Sequence, residues 1–395
     1  MKKIAVVIQR FGREIVGGSE LYALRLLEKL SNRYSFTVYT TCALDYLTWA
    51  NHYPSGESRI GEIRVIRFPV RTPRNIDLFN HYMDDLFQKP SLTAEEEREW
   101  FLRQGPYSPE LVEAVEREQE EYDLFLFFTY LYYPVVESLP RVHRPRVLVP
   151  TTHRERPLFL ETSRSTFTLP EGVLALTDEE RALMDEVYPS PKRQLRRTVG
   201  GIGIEPPEEI DLTPFLERHR PLFPYITYLG RIDEGKGVGW LVEKFREFAA
   251  HKPLQLLLVG QKNLTLPKDP RVRCLGYLSE EEKWQVLKGA TLYVHPSRFE
   301  SLSISMLEAM AVGTPVLVNG ESPVMLGHAL KSRAGLYYKG EEEFREALGW
   351  LLENPEARER MGRSGREYVR RNYSWKALLE RVTEALEEVM EKTAP

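Results

Sequence analysis

The segment Leu292-Tyr293-Val294-His295-Pro296-Ser297-Arg298-Phe299-Glu300-Ser301-Leu302-Ser303-Ile304-Ser305-Met306-Leu307-Glu308-Ala309-Met310-Ala311-Val312-Gly313-Thr314-Pro315-Val316-Leu317-Val318 reads as a strand, a loop, a helix, a glycine stop and a second strand. Leu292 to His295 is the first strand, Pro296 to Leu302 the loop, about Ser303 to Val312 the helix and Pro315 to Val318 the next strand. Near-continuous apolar strands separated by helices predict parallel sheets covered on both faces. In such sheets the loop at the carboxyl end of a strand is where ligands bind. The free amides and the dipole at the following helix start attract phosphate, and Ser301 and Ser303 are small enough to let one approach the backbone.

Two carboxylates bracket that anion site. Glu300 stands just before it, and Glu308 lies about five residues into the helix, or roughly 7 to 8 Å along it. A nucleotide sugar has the same layout of sugar, diphosphate and ribose. The plainer alternative makes Glu300 an exposed loop residue and Glu308 a solvated helix residue, as most surface glutamates are. For Glu308 the apolar run Ala309-Met310-Ala311-Val312 speaks against it, because a charge embedded there needs a partner.

The same rhythm extends along the chain. Ile4 to Ile8, Phe36 to Thr41, Ile63 to Val70, Leu124 to Thr129, Arg146 to Thr151 and Val173 to Leu176 read as strands, with a helix from Ser19 to Leu30. A fresh series starts with a strand at Tyr225 to Leu229, a helix at Val238 to Ala250 and a strand at Leu254 to Val259. Gly200-Gly201-Ile202-Gly203 and Pro206-Pro207 break the pattern, so the boundary falls between Gly200 and Pro221. The expected domains are two doubly wound, Rossmann-like units, 1–205 and 206–373, with a last helix over 374–395. Residues 75–119, with Glu95-Glu96-Glu97 and Trp100-Phe101, form a helical insertion in the first.

Three further constellations sit at strand ends. Gly230-Arg231-Ile232-Asp233-Glu234-Gly235-Lys236-Gly237 follows the first strand of the second domain and puts two cations in a glycine-rich turn. Gly17-Gly18-Ser19-Glu20 follows the first strand of the chain, and Ser19 is placed to cap the next helix. His153, in Thr151-Thr152-His153-Arg154-Glu155, lies just past a predicted strand, where a structural hydrogen bond holding the loop is the ordinary role. The run Lys192-Arg193-Gln194-Leu195-Arg196-Arg197 reads first as a solvated edge and second as an anion-attracting patch. Trp100 and Tyr107 suit either a sugar-facing acceptor site or the insertion's own small core.

Composition narrows the class. A formal net charge of −4 argues against nucleic-acid binding through bulk charge. Cys42 and Cys274 match no metal or redox spacing, so a reducing, cytoplasmic setting is expected. The apolar run Ile4 to Ile8 is too short for a signal peptide, and no stretch nears the roughly 20 residues that span a bilayer. Peripheral contact with the inner membrane face stays compatible with this reading.

Glu300, seven intervening residues and Glu308, followed by Ala309-Met310-Ala311 and Gly313-Thr314-Pro315-Val316, resemble the signature of the retaining family-four glycosyltransferases of GT-B fold. The resemblance runs from the first strand to the final helix. The family often has Gly-Phe-Gly after the first glutamate, where this chain has Ser301-Leu302-Ser303. The resemblance implies two Rossmann-like domains facing across a cleft, the first on the acceptor side and the second on the donor side, with the last helix crossing back to the first. It implies transfer of a sugar from a nucleoside-diphosphate sugar to a hydroxyl of a glycan, lipid-linked or small-molecule acceptor, without a metal or other cofactor. By the same resemblance Arg231 and Lys236 hold the diphosphate with Gly230 and the backbone at Leu302, Ser303 and Ile304. Glu308 binds the ribose, Tyr277 and Leu278 lie near the base, and Glu300 binds sugar hydroxyls. Gly17 and Gly18 close over the donor phosphate, and His153 contacts the transferred sugar. A sugar-nucleotide epimerase or hydrolase, or a non-catalytic partner subunit that keeps the GT-B shell, stays open as the alternative. The sugar, base, acceptor and oligomeric state are not specified by these residues.

Overall fold

The computed structural model describes residues 1–15, 17–189, 196–222 and 224–392. They divide into two compact units, Met1–Gly201 with Leu379–Pro395, and Ile202–Leu378. Residues 192–195 of the basic run lie outside the described residues.

The first unit is built on eight strands: β1 (Lys2–Val7), β2 (Tyr34–Thr41), β3 (Gly56–Ile60), β4 (Ile63–Phe68), β5 (Leu124–Phe128), β6 (Arg146–Val149), β7 (Gly172–Ala175) and β8 (Arg196–Val199). Their order is β3-β4-β2-β1-β5-β6-β7-β8. At the centre of the sheet Ile4, Ala5, Val6 and Val7 of β1 and all of β5 are apolar and buried, as burial on both faces requires. The sheet is parallel with one exception that departs from expectation. β3 pairs antiparallel with β4 and turns at Gly61, whose φ is +59°. Its sequence Gly-Glu-Ser-Arg-Ile is polar and almost wholly exposed, so no apolar pattern marks it as a strand. The short β8 was equally unmarked.

The insertion folds as three helices, Ile76–Phe87, Ala94–Gln104 and Pro109–Glu118. Thr93 and Glu96 form a reciprocal capping box at the start of the second. Trp100 is buried with Phe79, Leu86, Phe101, Val136 and Leu160, so it serves the local core rather than an acceptor surface. Glu97 accepts from the amides of Glu161 and Thr162 at 3.1 and 2.8 Å, tying the insertion to the helix Glu161–Thr168.

The second unit carries β9 (Tyr225–Leu229), β10 (Gln255–Val259), β11 (Val272–Gly276), β12 (Leu292–His295), β13 (Val316–Asn319) and β14 (Gly335–Tyr338), all parallel, in the order β11-β10-β9-β12-β13-β14. The order reverses between β9 and β12, which defines a topological switch point. The unit begins at Ile202, a few residues before the sequence pattern places it, and keeps residues up to Leu378. Ile204 N donates to Tyr373 O at 2.7 Å, and the Trp375 ring lies where a side chain on Gly203 would go. The last helix, Trp375–Lys392, continues into the first unit. There Val389 lies against Gly172 of β7, and Arg381 donates to Gly200 O.

Candidate functional site

Two loops leave the adjacent strands β9 and β12 on either side of the switch point. After β9 the chain turns at Gly230, whose φ is +151°; a Cβ there would come within 2.6 Å of the Tyr228 hydroxyl. That hydroxyl donates to Arg231 O at 2.8 Å. Asp233 then organises the turn: Oδ1 accepts from Lys236 N at 2.8 Å, and Oδ2 lies 3.3 Å from Arg231 Nε. Gly237 caps the helix Val238–Phe248 with a φ of +72°, and a Cβ on it would meet Pro296 O at 3.1 Å, so the two loops are in close contact.

The loop after β12 brings its carboxylate to that turn. Glu300 Oε1 lies 2.7 Å from Lys236 Nζ and 3.4 Å from His295 Nε2. Burial pushes the Glu300 carboxyl up, but Lys236 and His295 outweigh it and hold the group below its ordinary pKa. Glu300 is therefore an ionised, largely buried acid and not an exposed loop residue. Burial drives His295 the other way, down to about 4 against the pull of Glu300.

The helix after this loop is Ile304–Ala311, capped by Ser303 in the left-handed region at φ +60°. The Ser303 side chain makes no capping bond, and its buried Oγ has no hydrogen-bond partner among the described residues. The first amides of any helix lack a carbonyl from a preceding turn. Ser305 Oγ donates to Leu229 O at 3.1 Å, which fastens the helix start to the end of β9. Leu302 is buried, and its carbonyl accepts from His328 Nε2 at 3.0 Å. Glu308, one turn on, is buried and has the cation that its surroundings demand: Lys283 Nζ lies 2.6 Å from its Oε1. Tyr277 and Leu278 follow β11, two strands from β9; Tyr277 is exposed and donates to Gln261 Oε1 at 3.1 Å.

The second unit thus gathers Gly230, Arg231, Lys236, Glu300, Leu302, Ser303, Ile304 and Glu308 around one switch point. Gly17, Gly18 and His153 belong to the first unit. Gly17, not Ser19, caps the helix Gly18–Leu30; Ser19 falls within the first turn and donates to Glu20 Oε2 at 2.7 Å. A Cβ on Gly17 would sit 2.2 Å from Glu20 Oε2, so the close approach of that carboxylate requires glycine. Glu20 is buried against Arg10 and accepts from its Nη2 at 2.5 Å. His153 Nε2 lies 3.3 Å from Glu155 Oε2, and Glu155 Oε1 accepts from Tyr130 at 2.8 Å. The buried Glu180 accepts from the amides of Thr152 and Leu176, anchoring the backbone beside His153.

Asp233, Lys283, His295, His328, Glu20 and Glu180 escaped the sequence reading. Lys283 and His328 lie on the helices Glu280–Gly289 and Pro323–Ser332, with no spacing that links them to the glutamates. Among the described residues no group of three or more His, Cys, Asp or Glu side chains is placed to hold a metal ion. No helix of the described residues is long and apolar enough to cross a membrane.

Residues 216–368 match the family model described as "Glycosyl transferases group 1". The chain is 30% identical over 183 residues to a GDP-mannose-dependent monoacylated alpha-(1-6)-phosphatidylinositol monomannoside mannosyltransferase of Corynebacterium glutamicum, covering 42% of this chain and 47% of that protein. It is 26% identical over 280 residues to alpha-D-kanosaminyltransferase of Streptomyces kanamyceticus, covering 64% and 71%. The chain thus spans about half the length of the first of these relatives. Among solved structures, sucrose-phosphate synthase from Thermosynechococcus elongatus superposes with a TM-score of 0.73 over 100% of both chains at 17% identity. The Anabaena protein HepE in complex with UDP and glucose superposes at 0.69 over 98% of this chain and 100% of that one at 15% identity. The fold is the two-unit α/β architecture of these GT-B proteins.

Proposed function

We propose, from the match of residues 216–368 to the glycosyl transferases group 1 family model, that the protein transfers a glycosyl group from a nucleoside-diphosphate sugar to an acceptor hydroxyl with retention of anomeric configuration. The observation that carries the reading is the Lys236–Glu300 pair at the switch point, beside the Ser303 helix start and ahead of the buried Glu308. Glu300, the helix N-terminus with its nearby cations and Glu308, in that order, correspond to the sugar, diphosphate and ribose of a donor.

In the proposed reaction Lys236 and Arg231 hold the diphosphate, with Gly230 allowing the backbone to approach. Charge grows on the departing nucleoside diphosphate, and fixed cations stabilise it more in the transition state than in the ground state. The backbone of Leu302, Ser303 and Ile304 adds donors to the phosphates, Glu308 accepts from the ribose diol, and Tyr277 with Leu278 lies by the base. Glu300 accepts from sugar hydroxyls and offsets the positive charge that develops at the anomeric carbon. Intact Lys236 and Glu300 weigh against a non-catalytic shell.

One of the similar proteins is named as GDP-mannose-dependent and another was solved with UDP and glucose, so the donor panel should span both bases. Each nucleotide sugar is scored first for thermal stabilisation, expected to reach about 2.7 kcal/mol at a hundredfold excess over Kd, and then for slow donor hydrolysis. Binding of no nucleotide sugar and no nucleoside diphosphate to the full chain would sink the enzyme reading.

A further inference from the structure

Glu300 Oε1 faces two donors, Lys236 Nζ at 2.7 Å and His295 Nε2 at 3.4 Å. His295 belongs to β12 and is buried. Its other nitrogen, Nδ1, accepts from the backbone amide of Ser297 at 3.3 Å, so the single proton of the neutral ring belongs on Nε2, towards Glu300. The ring plane is held as well. Tyr228 and Tyr293 meet it edge to face at centroid distances of 5.4 and 5.9 Å, and Asn319 fixes the next peptide by donating to Pro296 O at 3.0 Å.

The Lys236 ammonium is committed to Glu300 in this structure, yet a diphosphate in the proposed site competes for the same cation. A carboxylate that loses this charged donor would swing or take up a proton, even with the Ser297 hydroxyl beside it. We infer that His295 is a positioning residue for Glu300: when the donor diphosphate draws Lys236 away, the Nε2–H of His295 takes over the carboxylate and holds it towards the sugar. The distance of 3.4 Å is long for a nitrogen–oxygen hydrogen bond and closes with a small rotation of the Glu300 side chain. Burial keeps the imidazole neutral near pH 7, so it supplies a proton for hydrogen bonding without adding a cation that would compete with Lys236. The inference rests on the glycosyltransferase reading for its consequence, and on geometry alone for its tautomer.

The test uses the full chain, with UDP and GDP as probes and whichever nucleotide sugar is turned over as substrate. Nitrogen NMR of the imidazole should show the proton on Nε2 of His295 both without and with a saturating nucleoside diphosphate; a proton on Nδ1 overturns the inference. His295→Asn, which cannot reach Glu300, should lower kcat about tenfold or more while the Kd of the nucleoside diphosphate stays within about twofold. His295→Gln, whose amide reaches the place of Nε2, should recover kcat to within about threefold of the unaltered protein. A folded Asn variant with unaltered kcat, or a Gln variant as impaired as Asn, overturns the role. If the unaltered protein turns over no nucleotide sugar, the enzyme reading fails by itself, and the tautomer is decided by NMR alone.

Discussion

The ammonium of Lys236 lies 2.7 Å from Glu300 Oε1, although 64 residues separate them in the chain. Parallel pairing of β9 with β12 makes them neighbours, and Lys236 helps to hold the Glu300 carboxyl below its ordinary pKa. Glu300→Gln frees Lys236 while keeping the shape of the side chain. Affinity for UDP or GDP, measured by calorimetry, is expected to hold or rise, while turnover falls about a hundredfold or more. Lys236→Ala is expected to abolish nucleotide binding. Equal loss of binding in both variants would show that the two residues do not divide the roles this way.

His328 and His295 give the second unit a definite response to acid. Burial holds both imidazoles down to about 4, against the carbonyl of Leu302 in the first case and Glu300 in the second. The unfolded chain takes up these protons near pH 6.5, so between 6.5 and about 4 it binds protons that the native unit refuses. Stability therefore falls as pH drops through that window and is unaffected by these groups above it. Thermal unfolding scanned from pH 7.5 to 4.5 should show the decline. His328→Gln, which still donates to Leu302 O but cannot titrate, should make the slope shallower; an unchanged slope would count against His328 as a source.

The Glu308–Lys283 pair predicts a characteristic mutant cycle. Both side chains are largely buried, at 5% and 16% exposure. Lys283→Met leaves the carboxylate without this cation and is expected to cost about 3 to 5 kcal/mol in denaturant unfolding. Adding Glu308→Gln to that variant should restore part of the loss, because the stranded charge goes with it. A double variant no more stable than Lys283→Met would contradict the pairing energy.

Gly17→Ala tests the loop after β1. The new methyl group would fall 2.2 Å from Glu20 Oε2, and Glu20 cannot withdraw without leaving Arg10 and Gln9. Overpacking of this kind costs about 1 to 3 kcal/mol. Urea unfolding of the Ala variant should show it, and a neutral result would mean that Glu20 has room to move.

The cluster at the switch point was legible because its residues lie close together in the chain. Glu300 and Glu308 bracket the end of a loop and the start of the helix after it, within one short segment, and Arg231 and Lys236 share one turn. What supports those residues was not legible. His328 reaches Leu302 and Lys283 reaches Glu308 from separate helices, and nothing in linear spacing reports such a crossing. His295 was readable as the end of an apolar strand, but its bond from Ser297 depends on how the loop bends. Ser19 was credited with a cap that Gly17 provides, since a good capping residue type cannot show where the helical backbone begins. The fold followed the apolar strands closely and missed those without a clear apolar pattern: β3 is polar and exposed, and β11 is only partly buried.

Ser303 occupies a backbone region that most side chains avoid, at φ +60°, at a cost of about 1 to 2 kcal/mol. The resembling family often has glycine there, for which the cost vanishes. This chain settles that expense during folding and gains a stiff hinge point where glycine would leave freedom. A ligand that meets the helix start then has little loop disorder to quench, and more of the contact energy is retained as affinity. Selectivity at this position should accordingly follow the fit of the ligand to a preset shape, with the loop acting as a template rather than a clasp.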